Sequence, residues 1–162
     1  MYKIGDKISH PIHGAGIIQN IETKELFDEE KSFYTIEIPE KCMKLCISTD
    51  KADEIGVRKV LGKKAMAVVV DSLAEPFKVK RANWMERTRD NEAKLASRDI
   101  KQIAEVYKEL YKLDNEKGLS ATEKRMYASA KRYLATEIAL VNNISQEKAE
   151  EKMIKSMTKC TK

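Results

Sequence analysis

The period of apolar and polar positions changes once along the chain, close to Gly62. Ahead of that point apolar residues fall in short runs, at 7–9, 16–23, 33–38, 43–47 and 57–60, punctuated by Gly5-Asp6, Pro11, Gly14, Gly16 and Pro39. Within 33–38, Tyr34, Ile36 and Ile38 alternate with Phe33, Thr35 and Glu37, the two-residue period of a strand with one apolar face. The acidic stretch at 26–31 (LFDEEK) reads as a hairpin tip. Short strands packed this densely predict a small SH3-like or Tudor-like β-barrel. A unit of about 60 residues is only marginally stable alone, so packing against a neighbour is expected to help it.

Beyond Gly62 the spacing becomes helical. A helix is expected over 63–73, stopping before Pro76. Asn83 with Glu86 reads as a capping box opening a second helix to about Leu95, and Asp99 with Gln102 opens a third. The third carries Ile100, Ile103, Ala104, Tyr107, Leu110 and Tyr111 on one face and ends at Gly118. Ser120 with Glu123 is another capping box, followed by the stripe Met126, Ala130, Tyr133, Leu134, Ile138 and Val141. Ser145 can cap a last short helix carrying Ile154 and Met157. The short loop at 114–120 predicts that the two long helices form an antiparallel pair. The expected fold is α+β: a β-barrel domain over 1–61 and an all-helical domain over 62–162.

Charge follows the same division. Residues 1–60 hold 9 Lys and Arg against 11 Asp and Glu, whereas 61–162 hold 22 against 15. A basic helical half suits a polyanion, most often nucleic acid, though solvated lysines on helix faces would give the same count. No apolar run approaches the roughly 20 residues of a membrane span. The opening MYKIGD has no charged-then-apolar leader, and Cys42, Cys46 and Cys160 make an odd number. Reduced thiols in a cytoplasmic protein are therefore expected.

The residues offer little to an enzyme. His10 and His13 (in HPIHG) with Cys42 and Cys46 lack zinc-finger spacing, so a turn pair and small residues sharing one strand face are expected, with no metal and no cofactor. Neither a nucleotide-binding glycine loop nor a nucleophile elbow is present. Phe27, Phe33 and Tyr34 could line an aromatic cage, but alternation sends Phe33 and Tyr34 to opposite faces. The segment KVKRANWMERTR at 78–89 is different: Lys78, Lys80, Arg81, Arg87 and Arg89 surround Trp84, the only tryptophan. Such a ring is either a DNA wedge among phosphate-binding cations or a core residue. Lys124 and Arg125, just after the Ser120 cap, form a second basic cluster where anions bind well.

Three stretches together resemble the CarD/CdnL family of transcription regulators: GDKISHPIHGAGIIQNIE from Gly5, NWMERTRDNEAKLASRDI from Asn83, and LDNEKGLSATEKRM from Leu113. The barrel is similar to the polymerase-interacting domain of the transcription-repair coupling factor. The resemblance covers nearly the whole chain in the same order. It implies docking of the barrel on the β subunit of RNA polymerase and contact of the helical domain with promoter DNA at the upstream edge of the bubble. It places Trp84 as the wedge, Arg89 as a DNA-contacting neighbour and Lys24 as a polymerase contact. A second polymerase-contacting position, usually Arg, is Cys46 here, and Glu86 replaces a basic residue beside the wedge. His10 stands where an aromatic is common. A general nucleic-acid-binding accessory protein, or an adaptor whose basic helices meet an acidic partner, are the other readings.

Overall fold

A computed structural model describes residues 1–26, 29–76 and 83–159. The first part is a five-stranded antiparallel sheet of α+β type. Its strands are β1 (Lys7–His10), β2 (Gly14–Leu26), β3 (Glu29–Ile38), β4 (Met43–Ser48) and β5 (Arg58–Lys59), in the order β4-β3-β2-β1-β5. A 3-10 turn (Pro39–Lys41) joins β3 to β4, and a second (Thr49–Lys51) leads into α1 (Ala52–Ile55). The expected alternation holds: Tyr34, Ile36 and Ile38 are buried together with Ile8, Ile18 and Ile47, over Ala52 and Val57. Phe33, on the other face, is half-buried.

Two details differ from the expected strands. The hairpin expected at 26–31 is there, but its strands run further than the runs at 16–23 and 33–38: Lys24 pairs with Lys31, Glu25 with Glu30 and Leu26 with Glu29. A Thr23–Ser32 hydroxyl bond of 3.0 Å helps hold this polar arm, and Phe27 lies outside the described residues. Cys42 is not on a strand. It closes the 3-10 turn at φ 48°, its N–H bonded to the Pro39 carbonyl, so it and Cys46 share no strand face. The two histidines do form a turn pair, with ring centroids 4.8 Å apart. His10 Nδ1 accepts the backbone N–H of Ile12 (3.1 Å) and of His13 (3.2 Å). Burial, then the charges of His13, Arg98 and Lys41, push His10 down to about 4, so it is a neutral acceptor that shapes the turn.

The second part is helical: α2 (Lys63–Ser72), α3 (Trp84–Ser97), α4 (Ile100–Lys117), α5 (Ala121–Asn142) and α6 (Gln146–Lys159). Met66, Val69, Tyr107, Leu110, Leu134, Ile138 and Met153 centre one core. The Ser120–Glu123 capping box forms with both reciprocal bonds. At Asn83 no side-chain cap bond forms, although the helix begins there. Asp99 caps α4 by accepting the Lys101 N–H, while Gln102 bonds Ser97 instead. In α6 the buried face is Ala149, Met153 and Met157, at i, i+4 and i+8, which turns Ile154 outward at 42% exposure.

The sheet and the helices share an interface along α5. Gly14, at φ +88°, lies close against it: a Cβ there would lie 3.5 Å from the Thr136 hydroxyl oxygen and 3.3 Å from Glu40. The next residue, Ala15, belongs to the helical core rather than to the sheet's own core. The small residues Gly14 and Ala15 thus let β2 approach α5, as expected of a small sheet that needs a neighbour, while Gly16 leaves room for Ile36 and Ile38 of β3.

Candidate nucleic-acid interface and open sheet edge

Trp84 opens α3 and is 58% exposed, with Met85 beside it at 61%, so the ring is not a core residue. Arg89 lies one turn beyond Met85 on the same side of the helix and is exposed. Lys124 and Arg125 are exposed in the first turn of α5. Arg87 binds Glu123 there, with Nη2 at 2.8 Å and Nε at 3.3 Å from one carboxylate oxygen. That bond joins the first turns of α3 and α5. Trp84, Met85 and Arg89 therefore stand at the same end of the helical part as Lys124 and Arg125.

Arg87 departs from its expected place among the DNA-facing cations. Its side chain is only 7% exposed and that of Glu123 8%, so both are enclosed. Burial pushes the Glu123 carboxyl up, but the bonds from Arg87 and Ser120 outweigh it and hold the group below its usual range. Removing Arg87 would leave a carboxylate in a site built for a cation. Lys80 and Arg81, like Lys78, lie outside the described residues. Met85 is a surface apolar residue that the basic spacing gave no reason to single out; its signal was an apolar pair at a helix start.

In the sheet half, β4 is an edge of the sheet. The cross-strand rows Asn20–Thr35–Cys46 and Glu22–Phe33–Ser48 define its outer face. Lys24, two residues after Glu22, points to that same face. Cys46 is exposed on the edge strand. Lys24 Nζ is 3.1 Å from the Glu22 carboxylate, and that hydrogen bond and charge raise its ammonium above the usual range, with a smaller contribution from Cys46. Among the described residues no group of three or more His, Cys, Asp or Glu could hold a metal ion, and no helix is long and apolar enough to cross a membrane.

Comparison with known proteins covers both parts. Residues 2–61 match the CarD-like/TRCF RID domain, and residues 68–154 match the CarD C-terminal domain. YdeB of Bacillus subtilis (strain 168), named as a proposed transcription factor, is 33% identical over 156 residues, or 96% of this chain and 99% of the relative. With one family model spanning the sheet, another spanning most of the helices, and a relative that aligns from end to end, the chain belongs to the CarD family of transcription regulators.

Proposed function

We propose that this protein docks through the outer face and edge of β4 on the β subunit of RNA polymerase. From there it stabilises the open promoter complex by setting Trp84 against DNA at the upstream edge of the bubble. The observation that carries this reading is the exposed Trp84 at a helix tip shared with exposed cations, in a molecule whose sheet half also has an edge strand, β4. An edge strand offers a row of free N–H and C=O groups to a strand of a partner. A large ring among cations suits DNA whose stacking is already broken.

The mechanism is differential binding. A ligand shifts an equilibrium only as far as it prefers one state, and the wedge finds its step in the open complex rather than the closed one. A preference of about 1.4 kcal/mol changes that ratio roughly tenfold. Phosphate contacts and a wedge carry little base information, so promoter choice comes from polymerase docking, which raises the local concentration of the helical part at promoters. No cofactor takes part, and the protein works in the cytoplasm wherever polymerase sits on DNA. Retention of polymerase subunits from a nuclease-treated bacterial lysate by the full-length protein tests the docking step. Nuclease-sensitive capture without polymerase would instead support the accessory-protein reading.

Two substitutions probe the two ends. Lys24→Glu reverses an exposed charge on the outer face, and capture of the β subunit should weaken while the melting curve stays unchanged. Undiminished capture would remove Lys24 from the contact. Lys124→Glu with Arg125→Glu should lower duplex affinity for all sequences alike. Because each neutralised phosphate contributes a slope of about −0.9 in log affinity against log salt, losing both should flatten the slope by roughly two. An unaltered slope would place the phosphate contacts elsewhere.

A further inference from the structure

We propose that Arg98 and Gly56 form a latch that makes α3 a rigid strut, fixing the position of Trp84 relative to the polymerase-facing sheet. This inference rests on the function proposed above and adds the residues that position its wedge.

Arg98 is the C-cap of α3 and sits at φ +59°, a left-handed conformation that Gly or Asn adopts far more easily. Its side chain shows what the conformation achieves. Arg98 Nη1 donates to the Ile55 carbonyl at 2.8 Å, at the end of α1 in the sheet half. The guanidinium lies directly on Gly56: a Cβ there would fall 1.1 Å from Nη1 and 2.3 Å from Cζ. Gly56 also has φ +85°, so both residues adopt the backbone conformation that brings them together. Residues in such conformations persist where the surroundings over-determine them, often at functional sites.

The joint around the latch is hollow. A cleft of about 310 Å³ lies between the halves, lined by Gly56, Arg58, Arg98 and Tyr133 among others. Around this cleft directional bonds set the angle, alongside the apolar contact that Ala15 makes with the helical core. Arg58 of β5 forms a two-pronged pair with Glu137 of α5, one prong at 3.2 Å. The Tyr133 hydroxyl donates to the Pro11 carbonyl, and Lys7 Nζ donates to the Leu140 carbonyl at 2.6 Å. These three bonds all hold α5. Arg98 alone ties α3 to the sheet half by a hydrogen bond among the described residues. The strut is thus anchored at its far end on the sheet by Arg98 and at its near end on α5 by Arg87, with Trp84 at the tip. With the latch released, the far end of α3, about 21 Å away at 1.5 Å per residue, is free of the sheet, and the helix can tilt about its Arg87–Glu123 anchor and turn the ring of Trp84 with it.

The latch is read directly by a spin-label distance between native Cys46 and a cysteine introduced by Ala93→Cys, with Cys42 and Cys160 changed to Ser. A narrow distribution is expected, broadened by Arg98→Ala. An unchanged distribution overturns the latch whatever polymerase assays give. In the full-length protein, Arg98→Ala and Gly56→Ala should leave β-subunit capture and duplex affinity unchanged while the open-complex lifetime at saturating protein falls severalfold. Arg98→Lys, which keeps a donor for the Ile55 carbonyl, should restore part of the loss. Parallel losses in capture, duplex binding and lifetime would mark a plain folding defect and overturn the positioning role. So would a full lifetime despite a broadened distribution. If the wild-type protein itself fails to extend lifetime, the proposed function fails, while the distance measurement still decides the latch.

Discussion

Trp84→Ala is expected to shorten the open-complex lifetime by about tenfold while leaving folding and polymerase capture near wild type. Truncating a buried Trp costs about 3–5 kcal/mol, but a surface side chain away from special contacts changes stability by only about 0.5 kcal/mol. Trp84 is 58% exposed, which puts it in the second class. For a protein of this size, 0.5 kcal/mol corresponds to a melting shift of roughly 1–2 °C. The functional cost is larger because the ring acts only where a base step is unstacked. Unstacking costs on the order of a few kcal/mol, and an inserted ring offsets part of it. Losing about 1.4 kcal/mol of that offset gives the tenfold change. The closed complex lacks the unstacked step and should be little affected. An unchanged decay in a well-folded variant would remove the wedge from the mechanism.

Arg87→Ala, three positions along the same helix, should behave in the opposite way. Breaking a buried ion pair by removing one partner costs about 3–5 kcal/mol, because the other charge is left enclosed. Glu123 keeps its cap bonds to Ser120 N at 3.0 Å and Ser120 Oγ at 2.8 Å, so the lower end of that range applies. A loss of about 3 kcal/mol should lower the melting temperature by roughly 6–12 °C. The effect also depends on pH. The folded pKa of Glu123 is below its usual 4.5, so its stabilising contribution is fully present above that value and is lost as pH falls through the folded one. The gap between wild type and Arg87→Ala should therefore be wide at neutral pH and close in acid, where Glu123 protonates in both. Melting curves at neutral and acid pH check this. A variant that melts like wild type but binds duplex DNA more weakly would return Arg87 to the DNA surface.

Trp84 and Arg87 show what could and could not be read from the chain alone. Local periodicity was sufficient where the partner is close in sequence: the Tyr34, Ile36, Ile38 face and the Ser120–Glu123 box are both within a few residues. It was insufficient where a charge is buried by a distant partner. Arg87 meets Glu123 36 residues away, and Arg58 meets Glu137 across 79, and neither spacing carries a periodic signal. A signal for the second was nevertheless present. Glu137 falls one turn after Leu134 and one before Val141, an acid inside an apolar stripe, and it is fully buried. Burial raises its carboxyl above the usual range despite Arg58. In α6 the two apolar residues named from the sequence, Ile154 and Met157, do not share a face: Ala149, Met153 and Met157 set the buried phase, and Ile154 is turned outward. Trp84 stood out in the sequence as a lone Trp among cations, but only its exposure separates a surface ring from a core one.

The central claim is that one molecule bridges polymerase and bubble-edge DNA and thereby favours the open state. The most direct test is the decay of preformed open complexes, made with purified polymerase on a linear promoter fragment and challenged with a competitor, with and without saturating wild-type protein. The account predicts slower decay with the protein, by about tenfold if the preference is about 1.4 kcal/mol, and no such effect from the protein carrying Trp84→Ala. Identical decay with and without the protein, under conditions where it demonstrably binds polymerase, would contradict it.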